Sequence, residues 1–244
     1  MDAVPASPTP PHPSWVHRWW GKALLAWIFL TVVTAALFLF FFIDNLLGTS
    51  PIPAGASRFT ELTRAVNATL PGAGSLVRDD DPRLGNPAAK LTIVAFEDFE
   101  CPFSGEVFPT LRQVMVEHAD DVLFVYRDFP ITDVHPDAQR AAEAAQCALL
   151  QGKFWEYHDR LFQHQNALSS DDLVTYAEQV GLDLVDFATC LDRGQTRATV
   201  LQDFDDGVAL GVRGTPTFFF NGQKVEGSLP RDAFEEIISA FLSS

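Results

Sequence analysis

Residues 96–105 read FEDFECPFSG, that is Phe96-Glu97-Asp98-Phe99-Glu100-Cys101-Pro102-Phe103-Ser104-Gly105. Just before them, Leu91-Thr92-Ile93-Val94-Ala95-Phe96 is a short β-branched run whose length and content predict a buried strand. Just after them, Leu111, Val114 and Met115 recur at helical spacing, with Pro109 early in a helix that runs to about His118. Cys101 therefore falls where a strand hands over to a helix. A Cys-x-x-Cys pair at such a junction is a dithiol redox signature. Here the fourth position is Ser104, so the junction carries one sulfur instead of two.

Working outward, Val122-Leu123-Phe124-Val125-Tyr126 predicts a second strand. Strand, helix and strand in this order predict a parallel pair joined by a crossover. From Pro136 to about Leu210 the pattern is helical, beginning with the Ala-rich segment 138–150. Phe154, Tyr157, Leu161 and Phe162 fall on one face of the next helix, and Ser169-Ser170-Asp171-Asp172 caps a third that ends at Gly181. Segments 182–191 and 195–210 complete the block. Thr217 to Phe220 then predicts a strand, and Asn221-Gly222 turns it back into Gln223-Lys224-Val225. Pro230 opens a last amphipathic helix through Phe234, Ile237, Ile238 and Phe241. The fold class is α/β with a helical insertion at about 135–210.

The N-terminal part differs in kind. Ala23 to Ile43 is 21 residues without a charge, a proline or a glycine. As a helix it reaches about 31 Å, enough for a bilayer core. Trp15, Trp19 and Trp20 stand at its front edge, His17, Arg18 and Lys22 precede it, and Asp44 follows it. The positive-inside bias then leaves the N-terminus in the cytoplasm and the rest of the chain outside. Ala54-Gly55-Ala56 resembles a signal-peptidase site, but a cleaved leader has an apolar core of only about 7–15 residues. The reading is an uncleaved anchor. The expected layout is a Pro-rich cytoplasmic tail over 1–22, a transmembrane helix over 23–43, an extracytoplasmic spacer over 44–85 and the α/β domain over 86–244.

The formal charge is −15. Two acids and two bases up to Asp44 cancel, so the remaining 30 acids and 15 bases carry the whole excess. Such a domain repels phosphate backbones, which excludes nucleic acid as a partner class. No Gly-rich phosphate loop and no paired Cys/His motif is present, so no cofactor and no metal are expected. His135, His158 and His164 are read as packing or capping residues.

Taken together, these residues resemble the DsbA-like thiol–disulfide oxidoreductases, a thioredoxin fold interrupted by a helical domain. The resemblance spans about Gly85 to Leu242. It rests on Gly85-Asn86-Pro87, Thr92-Ile93-Val94, Asp98-Phe99-Glu100-Cys101-Pro102-Phe103, Tyr126-Arg127-Asp128-Phe129-Pro130, His135-Pro136, Lys153-Phe154-Trp155-Glu156-Tyr157-His158 and Gly211-Val212-Arg213-Gly214-Thr215-Pro216-Thr217-Phe218. It implies that Pro216 is a cis-proline facing Cys101 and that the backbone at Thr215 pairs with an extended substrate segment. It also implies a buried acid six residues before the cysteine, as proton acceptor for a second cysteine; that position is Ala95 here.

Cys101 at a helix N-terminus suits a nucleophilic thiolate. Glu97, Asp98 and Glu100 oppose it only if they point at the sulfur, and strand alternation is expected to send some of them to solvent. Pro102, Phe103 and Ser104 are its active-site neighbours. Ser104 offers a hydroxyl and cannot resolve a mixed disulfide. Cys147 and Cys190, 43 residues apart in the helical block, are read as a structural disulfide, with free thiols or a resolving role as alternatives. Three functions stay open. The first is an anchored monothiol exchange protein, reductase- or isomerase-like, acting on exported cysteine-bearing proteins or small thiols, with a membrane redox partner as a further option. The second is a non-catalytic binding module. The third is a Cys-to-Ser trap variant of a dithiol oxidase.

Overall fold

A computed structural model describes residues 76–243 and, within the apolar N-terminal run, Ala23, Trp27, Thr31 and Val32, all four of them helical. The chain divides into two units, Met1–Ala56 and Ser57–Ser244. The rest of the expected anchor, the tail and most of the spacer lie outside the described residues. No helix among the described residues is long and apolar enough to cross a membrane.

The second unit is built on the strand that ends in the opening motif. β2 (Leu91–Glu97) lies parallel to β3 (Val122–Asp128), in register from Leu91 opposite Val122 to Glu97 opposite Asp128, and α1 (Pro102–Glu117) makes the crossover. β1 (Arg83–Gly85) pairs antiparallel with the far edge of β3; β4 (Thr217–Phe220) pairs antiparallel with β2, and β5 (Gln223–Glu226) with β4. The sheet order is β1-β3-β2-β4-β5. A strand covered on both faces reads as a continuous apolar run, and β2 separates two cores by alternation. Ile93 and Ala95 join Val107, Leu111 and Tyr126 on the α1 side, while Val94 and Phe96 join Leu76, Phe129, Val212 and Phe219 on the other. The β4–β5 turn follows from Asn221 and Gly222, at φ +47° and +89°, the two left-handed residues a tight hairpin needs.

The helical block runs α2 (Ala138–Leu150), α3 (Phe154–Gln163), α4 (Ser170–Gln179), α5 (Leu184–Asp192) and α6 (Arg197–Ala209). α2 is its centre, because Ala141, Ala144, Ala145 and Ala148 are fully buried and let neighbouring helices approach. Ser169 and Asp172 cap α4 reciprocally, satisfying backbone donors that a helix start otherwise leaves open. The Cys147 and Cys190 sulfurs are bonded, tying α2 to α5. α7 (Arg231–Leu242) closes the α1 side of the sheet with Phe234, Ile237 and Ile238.

The boundary expected at residue 86 moves earlier. Leu76 is buried, and Arg83–Gly85, at the end of the stretch read as spacer, forms β1. The physical reason is Arg127, whose side chain is fully buried. Its guanidinium meets Asp203 at 2.8 Å, Asp206 at 2.6 Å and Asp81 at 3.4 Å, and donates to the Leu76 carbonyl at 2.9 Å. This one group holds residues 76–81 against β3 and α6. Replacing it leaves the buried Asp81 and Asp203 with only the partly exposed Arg78, 3.7 Å from Asp203, as counter-charge. Arg127→Leu is expected to lower the unfolding free energy by about 3–5 kcal/mol, measured as a shift of the urea midpoint. An unchanged midpoint would show that the network carries no stability.

Candidate active site

Cys101 caps α1, with extended backbone (φ −69°, ψ 121°) and Pro102 at the first helical position, where a missing N–H is harmless. A turn upstream, Cys101 N–H to Asp98 carbonyl at 3.1 Å, sets the angle of entry. The sulfur is only 3% exposed and donates to the Thr215 carbonyl at 3.3 Å. The Thr215–Pro216 peptide is cis. Cys101, Pro102, Phe103, Thr215 and Pro216, far apart in sequence, thus converge. They line a cavity of about 530 Å³ together with the apolar Ile131 and Val134 and the polar His135, Arg213 and Glu226. Phe103 is 60% exposed and also borders a second cavity of about 540 Å³ with Leu229 and Pro230. Ser104 is fully buried on the inner face of α1, and its hydroxyl has no hydrogen-bond partner among the described residues, Cys101 included. Cys147 and Cys190, bonded to each other in the helical block, lie outside this group.

The three acids before the cysteine do not divide between sulfur and solvent as alternation alone predicts. Glu97 and Asp98 are both buried, and Glu100 is half-buried. Asp98 accepts from Glu100 N–H, from Ile131 N–H and from His135 Nδ1, each at 2.8 Å, stitching the cysteine loop to the loop after β3. Glu100 accepts from Asp137 N–H at 2.8 Å, just before α2. Two of the acids are therefore occupied by backbone donors, and His135, which lines the cavity with Cys101, is held by Asp98. His158 is also buried, edge-on to Tyr126 and Phe99, and burial holds its pKa below the ordinary histidine value. His164 contacts the Arg160 carbonyl and stacks on Tyr176.

One site residue escaped the sequence reading, and a second was read only as a charge near the sulfur. Gln165, just past α3, donates from one amide nitrogen to the carbonyls of Phe99 and Cys101, both at 2.9 Å. Its approach explains Gly105, where a Cβ would collide with the Gln165 amide oxygen. A glycine in the first turn of a helix was the signal, since it marks a close approach. The second is Glu97. Both its carboxylate oxygens are buried without a hydrogen-bond partner among the described residues, and burial pushes its pKa up to about 8. The acid missing at Ala95 is thus matched by one two positions on, on the same face of β2.

The raised pKa ties Glu97 to stability. The folded chain holds the Glu97 proton more tightly than the unfolded chain does. Its contribution is therefore full below pH 4.5 and is lost as pH rises through about 8. Glu97→Gln is expected to remove this loss and to stabilise the protein at pH 9 by on the order of a few kcal/mol, with little change at pH 4. Urea unfolding of both proteins at the two pH values checks this, and an equal effect at both would refute it.

With this geometry in hand, comparison with known proteins is informative. A protein-family profile described as thioredoxin matches residues 78–240. A Na(+)/H(+) antiporter NhaA 3 from Salinispora tropica is 42% identical over 167 residues, covering 68% of this chain. The match spans only 26% of that antiporter's own length. A thioredoxin-like oxidoreductase from Silicibacter pomeroyi superposes with a TM-score of 0.63 at 25% identity, covering 69% of this chain and 96% of that one. The thiol-disulfide exchange protein alpha-DsbA2 from Wolbachia pipientis, at 18% identity, gives 0.62 and covers 76% and 98%. With the profile matched across both the sheet and the inserted helices, the chain belongs to the thioredoxin family.

Proposed function

We propose that this chain is a membrane-anchored thiol–disulfide exchange protein that acts outside the cytoplasm through one nucleophilic sulfur, Cys101. The observation that carries the reading is the setting of that sulfur. It heads α1, touches the Thr215 carbonyl beside a cis-proline and opens on an apolar groove, while the other two cysteines are bonded to each other. Substrates are exported proteins with cysteines, or small thiols. Thr215 and Pro216 offer backbone to an extended segment as in strand addition, and Phe103, Ile131 and Val134 take its apolar side chains. Anchoring is supported by the 21-residue apolar run with its basic flank and by the helical backbone at Ala23, Trp27, Thr31 and Val32.

Mechanistically, the Cys101 thiolate attacks one sulfur of a substrate disulfide. A Cys101–substrate disulfide forms and the other substrate sulfur leaves as a thiolate, which takes up a proton. Ser104 has no sulfur with which to reverse the bond. A thiol from outside, either another cysteine of the substrate or a small thiol, attacks the substrate sulfur and returns Cys101. Two electrons are never stored as an internal disulfide at this motif, so isomerisation and reduction suit the site better than net oxidation. A second reading, a binding module with an idle cysteine, draws on the apolar groove and the exposed Phe103.

Trapping separates the two. Alkylation without reductant is expected to label one thiol per chain, Cys101. Mixed disulfides are expected to accumulate on the wild type, to vanish in Cys101→Ala and to persist when Cys147 and Cys190 are both alanine. Ser104→Cys is expected to shorten their lifetime by supplying the resolving thiol. A Cys101 no more reactive than a peptide thiol favours the binding module. For topology, protease added to cells with an opened outer envelope is expected to digest the domain; protection until the inner membrane is broken would refute the orientation.

A further inference from the structure

Glu106 stands on α1 just over one turn beyond Cys101, and nothing in the fold answers its charge. It is exposed, and it makes no hydrogen bond or ion pair among the described residues. It follows the first turn of α1, so it gains little from the helix N-terminus. The residues one helical turn from it, Pro102, Phe103, Pro109 and Thr110, carry no positive charge. With Phe103, Thr110, Thr215, Leu229 and Pro230 it lines the second cavity of about 540 Å³. The other charged groups around the groove are taken. Arg213 and Glu226, which line the Cys101 cavity, lie 3.5 Å apart, and Lys224 Nζ meets Glu226 at 2.9 Å. His135 is held by Asp98. Arg231, next to Pro230, binds Glu117 and Glu235. Among the described residues, Glu106 is the charge bordering the two cavities that has no partner.

We infer that this second cavity takes a basic side chain from the substrate, a lysine or arginine close to the reacting cysteine, with Glu106 as its counter-charge. The inference deepens the reading of Cys101 as a working thiol and rests on it. The two cavities share Phe103 and Thr215, and the Thr215 carbonyl accepts the Cys101 hydrogen bond. A chain paired along Thr215 with its cysteine at Cys101 therefore brings a nearby side chain to the second cavity, since two residues of extended chain span about 7 Å. A long basic side chain matches both parts of the lining. Its methylenes cover Phe103, Leu229 and Pro230, and its charged head reaches the exposed Glu106 carboxylate. An arginine adds the attraction of its guanidinium to the face of Phe103. An acidic side chain at the same place meets Glu106 as a like charge, so the cavity rejects as well as selects. The surroundings act in the same direction at longer range. Beyond Asp44 the chain holds 30 acids against 15 bases, which draws basic segments towards it. Glu106 is thus a specificity residue, and the exchange itself remains the work of Cys101.

The test uses the full chain and short peptides whose single cysteine carries a 2-pyridyl disulfide. The Cys101 thiolate attacks the peptide sulfur and the S–S bond breaks. Pyridine-2-thiolate leaves with the electron pair and takes up a proton, and its absorbance gives the rate. The peptides carry lysine, glutamine or glutamate two residues from the cysteine, on either side, or a lysine about six residues away. Each rate is divided by the same protein's rate with dipyridyl disulfide, which reports the reactivity of Cys101 alone. In the wild type, on one side of the cysteine, near lysine is expected to react at least about fivefold faster than near glutamate and about threefold faster than distant lysine, and both ratios are expected to shrink in about 0.5 M salt. The general field of the domain does not distinguish near from distant lysine, whereas the cavity does. In Glu106→Gln near and distant lysine are expected to react alike, and in Glu106→Lys near glutamate is expected to overtake near lysine. Equal rates for near and distant lysine in the wild type, or a preference that Glu106→Gln leaves unchanged, overturn the inference while the exchange reading stands. A wild-type Cys101 that reacts with neither the peptides nor dipyridyl disulfide overturns the exchange reading itself, and this inference with it.

Discussion

The buried guanidinium of Arg127 is the contact on which the arrangement of the rest depends. It lies between the sheet and α6, over the ring of Phe96, and binds carboxylates from two different parts of the chain as well as a backbone carbonyl from residue 76. A buried cation this well paired is specific about geometry, because every partner must arrive at a fixed angle. The same network raises Asp203 above the usual carboxylate range through burial, although Arg127 pulls it down. Arg127 therefore sets where β3 ends relative to the helical block. β3 in turn sets the loop of Phe129 to His135 that faces Cys101.

On the other side of the sheet the same strand ends shape the cysteine loop. β2 and β3 stop together at Glu97 and Asp128. Beyond that line the backbone is held by side chains: Asp98 across to Ile131 and His135, and Gln165 from the end of α3 onto the carbonyls of Phe99 and Cys101. The helical block is thus more than an insertion on a redox fold. It supplies Gln165, and with α2 and the Cys147–Cys190 bond it fixes the helices that carry that residue. Gln165 ties the cysteine loop to the insertion, while a groove opens on the Thr215 side. That division matches a site that must hold one sulfur still and accept chains of varied sequence.

A single thiol at such a site changes what the surroundings must supply. A dithiol site carries its own exit from the mixed disulfide. In the function proposed above, the exit comes from a thiol outside the motif. The Glu97 carboxyl, buried at the end of β2, is kept mostly uncharged at neutral pH by its dry surroundings. The Ser104 hydroxyl is buried without a hydrogen-bond partner among the described residues, neither bonded to Cys101 nor turned to solvent.

Much of this was legible in residues 96–105 and their flanks. Local pattern determined the strand before Cys101, the helix after it, the Asn221-Gly222 hairpin and the capped helix at Ser169, because these depend on neighbours a few residues apart. The identity of the cysteine as the head of a helix, and the absence of a partner at Ser104, also lay in the sequence. Tertiary structure alone decided three things. It brought β1 into the sheet, because a three-residue strand has no pattern of its own and is held by pairing with β3. It buried Glu97 and Asp98 together, because alternation stops where a strand ends and the following turn points both side chains inward. It set Gln165 on the cysteine loop from 64 residues away, a contact that no local periodicity encodes. The sequence determined which sulfur is present; the packing of strands and helices around it decided that the Thr215 carbonyl beside a cis-proline is its hydrogen-bond partner.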